Sequence, residues 1–365
     1  MAVSAVQFMQ RALQLAQFGA ASTHPNPRVG CVIVRDSIVV GEGWHRRAGE
    51  PHAEVHALKA AGERARGADV YVTLEPCAHH GRTPPCADAL VAAAPARVVV
   101  AMTDPNPLVC GRGIERLRAA GIAVEVGLCG DEARALNRGF VSRFERGRPW
   151  VTLKLAASLD GRTAMRNGES RWITGAAARA DVHRLRAQAG AVMVGADTVL
   201  ADDPALTVRD WQPADGLSLR QPDRIVLDGR ARVPVGAQVW SDGAVRRFHI
   251  CGASTAAAED VEQVVMQTGA DGKLPLQAVM HALAQHQVNE VLVEAGSQLA
   301  GALLQAQVVD ELVLYVAPML LGDAARPLAV LPGLERLADA PRFELIEVQQ
   351  VGDDLRLTLR PAAIR

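Results

Sequence analysis

Short runs rich in Val and Ile alternate with longer helix-patterned segments along most of this chain, and one polar Gly/Pro run, Glu145-Arg-Gly-Arg-Pro149, interrupts the alternation. Strands separated by helices favour crossover connections, so such a chain is expected to form α/β sheets covered by helices on both faces. The interruption divides the 365 residues into segments 1–146 and 147–365, each of ordinary domain size.

In the first segment, Val6, Met9, Leu13 and Ala16 fall on one face of an N-terminal helix. Arg28 to Val40 reads as a hairpin about the polar turn Arg35-Asp36-Ser37. Helices are expected over 53–66, 86–94, 113–120 and 131–144, and strands over 70–74, 97–102 and 122–126. In the second segment, strands are expected over 150–156, 191–194, 224–227, 247–251, 291–294, 311–316 and 355–359, with helices over 176–189, 256–267, 276–287 and 298–305.

Basic and acidic side chains number 39 and 40, a net charge of −1, which gives no pull towards nucleic acid or an anionic membrane. The N-terminus lacks a basic region followed by an apolar core, and no apolar run is long enough to span a bilayer. A cytoplasmic protein with a small-molecule substrate is expected. The six cysteines do not form a disulfide framework, and Cys31, within the apolar run Val29 to Val34, reads as a buried small hydrophobe.

Chemistry is concentrated in Pro51-His52-Ala53-Glu54, Glu75-Pro76-Cys77 and Pro85-Cys86. One imidazole (His52) and two thiolates (Cys77, Cys86) suit Zn2+, and three protein ligands leave a fourth tetrahedral position for water, the mark of a catalytic site. Zinc brings the pKa of such a water to near 7. Glu54, two residues from His52, is placed to shuttle the proton that a leaving amine requires. Both cysteines are expected at helix starts, where thiolates are stabilised. Base deaminases carry H-x-E followed by P-C-x-x-C; here eight residues separate the cysteines. A structural zinc knuckle would recruit a fourth ligand from His45, His56, His79 or His80 and leave Glu54 idle. His56, four residues after His52, would suit an H-E-x-x-H protease, but the Glu stands at 54 rather than 53.

The stretches His24-Pro-Asn-Pro-Arg-Val-Gly-Cys31, Pro51-His-Ala-Glu54, Thr73-Leu-Glu-Pro-Cys-Ala-His-His-Gly-Arg-Thr-Pro-Pro-Cys86 and Asp104-Pro-Asn-Pro107 resemble the RibD family, the bifunctional deaminase/reductases of riboflavin biosynthesis. The second half is similar to the same family through Lys154-Leu-Ala-Ala-Ser-Leu-Asp-Gly-Arg-Thr-Ala164, Gly168-Glu-Ser-Arg-Trp-Ile-Thr174, the stretch Thr198 to Arg209 and Val293-Glu-Ala-Gly-Ser-Gln-Leu-Ala-Gly301. The resemblance implies a cytidine-deaminase-like α/β/α domain followed by a dihydrofolate-reductase-like α/β domain. It implies zinc-dependent deamination of 2,5-diamino-6-(5-phosphoribosylamino)pyrimidin-4-one, then NADPH reduction of the ribosyl chain to ribityl, and suggests a homodimer formed through the reductase half. His52, Cys77 and Cys86 match the family's zinc ligands and Glu54 its proton donor. Ser170, Arg186, Leu206, Arg209 and Glu294 match substrate positions. Ala156, Trp172, Thr198, Asp202 and the segment Gly296, Ser297, Gln298, Leu299, Ala300, Gly301, Ala302 match NADPH positions. One departure stands out: where relatives can carry a Ser that touches the dinucleotide, this chain has Gly229.

Read on their own terms, the same residues leave alternatives. No G-x-G-x-x-G follows a strand, so a Rossmann site is not supported. Gly296 to Gly301 follows a strand and opens a helix, which suits either a phosphate cradle or close helix–sheet packing. Arg186 and Arg209 suit a phosphate or a surface salt bridge. Thr198 and Asp202 are expected on a loop beyond a strand end, and Asp160-Gly161 in a turn. Glu294 would bind substrate hydroxyls or cap a helix. The rival functions are a deaminase with a non-catalytic nucleotide-binding second domain, a nucleic-acid deaminase, and a zinc-stabilised binding module.

Overall fold

The computed structural model describes residues 4–79, 84–213, 217, 219–241 and 245–362. They form two compact units, Met1–Gly147 with Gln212–Arg220, and Arg148–Trp211 with Gln221–Arg365. Sequence patterning gave no sign that 212–220 groups with the first unit.

The first unit runs α1 (Ala5–Gln17), β1 (Gly30–Arg35), β2 (Ile38–Trp44), α2 (Ala53–Ala61), β3 (Asp69–Val72), α3 (Cys86–Ala93), β4 (Arg97–Val100), α4 (Arg112–Ala119), β5 (Ala123–Val126), α5 (Gly130–Leu136) and α6 (Arg138–Arg146). Its sheet has the order β2-β1-β3-β4-β5. β1 is antiparallel to both neighbours, and β3, β4 and β5 are parallel. Asp36 and Ser37 both take positive φ, as the tight hairpin between β1 and β2 requires. A Ser4/Gln7 capping box starts α1. Met9, Leu13 and Ala16 are buried as the periodicity predicts, joined by Phe8, Ala12 and Leu15, but Val6 is 41% exposed because the core contact begins a turn later. Cys31 is fully buried.

Two expected helices are shorter than their patterns. The 53–66 helix ends at Ala61, where Gly62 turns to positive φ and a 3-10 turn follows. The 131–144 helix breaks at Asn137, whose amide accepts from the Arg28 N–H at 2.8 Å and donates to the Arg28 carbonyl at 2.9 Å. A distant backbone partner outweighs local helix propensity there.

The second unit runs β6 (Trp150–Ser158), β7 (Arg162–Ala164), α7 (Ala176–Gln188), β8 (Ala191–Gly195), α8 (Ala196–Asp202), β9 (Asp223–Asp228), β10 (Arg247–Cys251), β11 (Val261–Val265), α9 (Leu276–Gln285), β12 (Glu290–Glu294), α10 (Ser297–Gln305), β13 (Glu311–Ala317), β14 (Arg326–Pro327), β15 (Phe343–Val351) and β16 (Asp354–Pro361). A nine-stranded sheet has the order β11-β10-β9-β8-β12-β6-β13-β16-β15, and β7 pairs with β14 apart from it. It is parallel from β11 to β13, and β13, β16 and β15 are antiparallel. Val151, Leu153 and Leu155 of β6 point into one core layer with Val291 and Val293 of β12. On the other face Ala156 packs with Val182, Val313 and Tyr315 beneath α7.

Two expectations are corrected and one strand was missed. The helix expected over 256–267 is instead the strand β11, paired in parallel with β10 from Arg247↔Val261 to Cys251↔Val265. Sheet pairing and the β-branched Val261, Val264 and Val265 prevail over a weak helical pattern. Thr198 and Asp202 sit on α8, not on a loop. β15 was missed because its exposed face carries apolar side chains, which blurs the period-2 alternation.

Candidate active sites

In the first unit β2 reads Gly41-Glu42-Gly43, and both glycines lie under α2. A Cβ on Gly41 would fall 2.3 Å from the Ala57 carbonyl oxygen, and one on Gly43 2.5 Å from that of Ala53. The helix therefore rests directly on the strand, and its first turn is fixed. His52 is the N-cap of α2 and Glu54 lies in that first turn. Cys86 opens α3, as expected, but Cys77 lies in the loop after β3 rather than at a helix start. The α3 N-terminus still serves it: the Cys86 N–H donates to Cys77 Sγ at 3.3 Å, and the Ala87 N–H to the Cys77 carbonyl at 3.1 Å.

These elements converge. His52 Nδ1 lies 3.6 Å from Cys77 Sγ and 3.3 Å from Cys86 Sγ. Zinc bonds of ordinary length at tetrahedral angles place S and N about 3.5 Å apart. All three donor atoms lie within 4.8 Å of one another, and among the described residues they are the one group of His, Cys, Asp and Glu donors close enough to hold an ion. The donor set and spacing fit zinc with an open fourth position. Hydrogen bonding to Cys86 and His52 holds the Cys77 thiol well below its usual range, against burial. Cys86 is pushed up by its hydrogen bond to Cys77 and by burial. The hydrogen bond to Cys77 raises His52.

Glu54 is 3% exposed, and its Oε2 has no protein hydrogen-bond partner. Burial raises its pKa, and His52 opposes the rise. A buried carboxylate with a free oxygen beside a three-donor metal site is equipped to exchange protons.

Among the described residues no other histidine closes the site. His45 Nδ1 lies 3.2 Å from the Pro51 carbonyl and Nε2 3.1 Å from Asn26 Nδ2, which uses both ring nitrogens. Burial, with His52 nearby, lowers its pKa to about 4. His56 is half-buried behind Gly43. His79 is not in the donor group, and His80 lies outside the described residues.

In the second unit Arg186 on α7 binds Glu294 at the end of β12 with two bonds, Nε–Oε1 2.5 Å and Nη2–Oε2 3.0 Å. Its third group donates to the Thr207 carbonyl at 2.9 Å. Lys154 Nζ on β6 lies 3.8 Å from Glu294. His183, one turn before Arg186, accepts the Arg209 N–H at Nδ1. Lys154 and His183 were not singled out in the sequence; their signal is position, since β6 and α7 bring both next to Glu294 and Arg186. Leu206 is buried, at 3% exposed, with a positive φ of 53. Arg209, Trp172 and Asp202 are exposed, Ser170 and Thr198 are half-buried, and Asp202 lies 3.4 Å from Arg171.

Gly296 caps α10, and a Cβ there would meet nothing within 4 Å. The first amides of α10 have no intrahelical acceptor, an arrangement that fits a phosphate of NADPH. Ser297 and Gln298 begin the helix. Ala300 and Gly301 turn into the core, and a Cβ on Gly301 would fall 1.9 Å from the Val330 carbonyl oxygen. The small residues of this segment thus serve both readings: cradle at Gly296, close packing at Gly301.

Residues 149–357 match the RibD C-terminal domain, and residues 3–102 match the cytidine and deoxycytidylate deaminase zinc-binding region. The riboflavin biosynthesis protein RibD of Escherichia coli K12 is 55% identical over 361 residues, covering 96% of this chain and 98% of its own. This chain belongs to the RibD family. A solved RibD structure from Acinetobacter baumannii matches with TM-score 0.91 at 48% identity, covering 98% of each chain. The Thermotoga maritima diaminohydroxyphosphoribosylaminopyrimidine deaminase/5-amino-6-(5-phosphoribosylamino)uracil reductase matches with TM-score 0.86 at 32% identity, again over 98% of each. As a RibD, the chain is a bifunctional deaminase/reductase of riboflavin biosynthesis, with a zinc-binding deaminase domain and an NADPH-using reductase domain.

Glycine at position 229 has a packing cause. A Cβ there would lie 2.2 Å from the Gly272 carbonyl oxygen, and one on Gly252 2.4 Å from that of Gly229. The ends of β9 and β10 close on the 269–272 turn, leaving no room for a side chain at 229.

Proposed function

We propose that the first unit deaminates 2,5-diamino-6-(5-phosphoribosylamino)pyrimidin-4-one and the second reduces the resulting 5-amino-6-(5-phosphoribosylamino)uracil to its ribityl form. The observation that carries the first assignment is the partnerless Glu54 oxygen buried beside His52, Cys77 and Cys86. Zinc held by these three supplies a Lewis acid that ionises water near neutral pH. Glu54 accepts the proton lost from the attacking water and delivers it to the departing amine. A C–O bond forms, the C–N bond breaks and ammonia leaves.

For the reduction, NADPH supplies the hydride when bound. The α10 amides of Ser297 and Gln298 would hold its phosphate, and Ala156, Trp172, Thr198 and Asp202 would contact the rest of it. Ser170, Leu206 and Arg209 serve the substrate. Arg186 is committed to Glu294 and Thr207, so its role is to hold the Glu294 carboxylate in place. Arg209, the exposed guanidinium, is the better phosphate partner.

The reading of a non-catalytic second domain draws on Gly229, and the close approach of the Gly272 carbonyl gives glycine at that position a packing cause. Among the described residues no helix is long and apolar enough to cross a membrane, and the free cysteines fit a reducing cytoplasm. The edge strand β15 exposes Leu345, Ile346 and Val348 by 54%, 45% and 52%, a surface that a second copy of the reductase half would cover. Ammonia release from the diaminopyrimidine nucleotide, followed by NADPH consumption in the same tube, tests both steps. Ammonia without NADPH loss would leave only the deaminase.

A further inference from the structure

One buried carboxylate near the metal centre has no part in the chemistry above. Glu75, at the start of the Glu75-Pro76-Cys77 loop, is 4% exposed. No Lys or Arg pairs with it among the described residues. Instead it accepts four backbone N–H groups. Oε1 takes those of Gly113 at 2.9 Å and Ile114 at 3.4 Å. Oε2 takes those of Gly111 at 3.0 Å and Asp104 at 3.2 Å. Three of these four belong to the N-terminal turn of α4, whose amides have no intrahelical acceptor. The Glu75 N–H itself donates to the Met102 carbonyl at 3.0 Å.

The next residue is fixed from the same direction. A Cβ on Gly113 would fall 1.9 Å from the Pro76 carbonyl oxygen, so that carbonyl lies flush on the α4 backbone. Proline at 76 restricts its own φ and the conformation of Glu75 before it. The loop that presents Cys77 is therefore clamped on both sides. α4 holds it through Glu75 and Pro76, and α3 holds it through the Cys86 and Ala87 N–H groups. His52 and Cys86 ride on helices, whereas Cys77 rides on a loop that depends on this clamp.

We propose that Glu75 is a positioning residue of the zinc site: its bonds to the α4 N-terminus hold Cys77 at ligand distance from His52 and Cys86. The proposal rests on His52, Cys77 and Cys86 being the zinc ligands. Partners that orient metal ligands typically govern affinity by about 10- to 100-fold.

The test is zinc release from the purified full-length protein to excess chromophoric chelator, with zinc content, melting temperature and NADPH-dependent reductase activity measured on the same samples. Glu75→Gln keeps one carbonyl oxygen but turns an NH2 group towards two N–H donors. It is expected to release zinc at least about tenfold faster than wild type, with reductase activity unchanged. Glu75→Asp, which keeps the charge on a shorter arm, is expected to fall between them. Leu117→Ala weakens the same helix from its fully buried face. It is expected to lower the melting temperature while releasing zinc at the wild-type rate.

Wild-type zinc release by both Glu75 variants would overturn the proposal. So would equally fast release by Leu117→Ala, which would reduce Glu75 to a helix cap. Cys77→Ser separates this from the underlying reading: if it too retained zinc, the ligand assignment itself would be wrong.

Discussion

The Arg186 guanidinium meets Glu294 edge to edge, with Nε on Oε1 and Nη2 on Oε2, and both side chains are largely buried, 13% and 14% exposed. Burial alone would push the Glu294 carboxyl up; Arg186 and then Lys154 reverse this and bring it to about 2. Its folded pKa is thus below the ordinary 4.5. The ionised carboxylate stabilises the fold above pH 4.5, and that contribution is lost as pH falls through about 2.

Arg186→Met removes the larger cationic pull. The buried Glu294 is then expected to take up a proton nearer neutrality, giving the reductase an acid limb between roughly pH 5 and 7 that wild type lacks. The reductase domain should also lose about 3 kcal/mol, the usual cost of leaving one member of a buried pair behind. A pH–rate profile and a thermal melt read both effects. A profile superimposable on wild type would show that Arg186 does not set the state of Glu294.

Cys77→Ser and Cys86→Ser are each expected to abolish zinc binding and ammonia release while NADPH oxidation of supplied 5-amino-6-(5-phosphoribosylamino)uracil continues. Metal analysis beside the two assays checks this. Retention of zinc by both variants would contradict the ligand set.

Gly229→Ser, which adds the hydroxyl that the family resemblance suggests for this position, is expected to do harm here. The new Cβ would meet the Gly272 carbonyl at 2.2 Å, so the variant should lose about 1–3 kcal/mol through overpacking. Its NADPH affinity, followed by cofactor fluorescence, should not improve. Tighter binding at unchanged stability would mean that the 269–272 turn yields freely.

Gly301→Ala probes the other role of glycine in the cofactor segment. The Val330 carbonyl stands 1.9 Å from the added Cβ, so α10 must shift off the segment carrying Val330. A fall in melting temperature with weakened NADPH binding is expected. An unchanged melt would show slack where the structure has none.

The candidate metal centre was legible because its donors, which the structure brings together, stand in short motifs whose residue types are chemically demanding: an imidazole, two thiolates and a carboxylate two positions from the imidazole. Even there the sequence misplaced Cys77, because a loop can borrow the N-terminus of a helix that begins nine residues later. The reductase site was less legible. Arg186 reads as a phosphate ligand until the fold sets it against Glu294, and Lys154 and His183 acquire meaning only from their neighbours on α7 and β12. Glu75 was invisible for the same reason, since its partners are backbone amides some 29 to 39 positions away. Strand β11 was lost to a helical pattern that sheet pairing overrode, and Asn137 broke a helix through a partner 109 residues distant. Local chemistry survives in sequence; long-range packing does not.

Glu54 is expected to move the protons at a zinc site built from His52, Cys77 and Cys86. Glu54→Gln preserves shape and leaves the three ligands in place. Ammonia release from 2,5-diamino-6-(5-phosphoribosylamino)pyrimidin-4-one, measured with zinc content on the same sample, should fall by roughly 10²- to 10⁴-fold at full metal occupancy. Ammonia release at the wild-type rate from a zinc-loaded Glu54→Gln protein would contradict it.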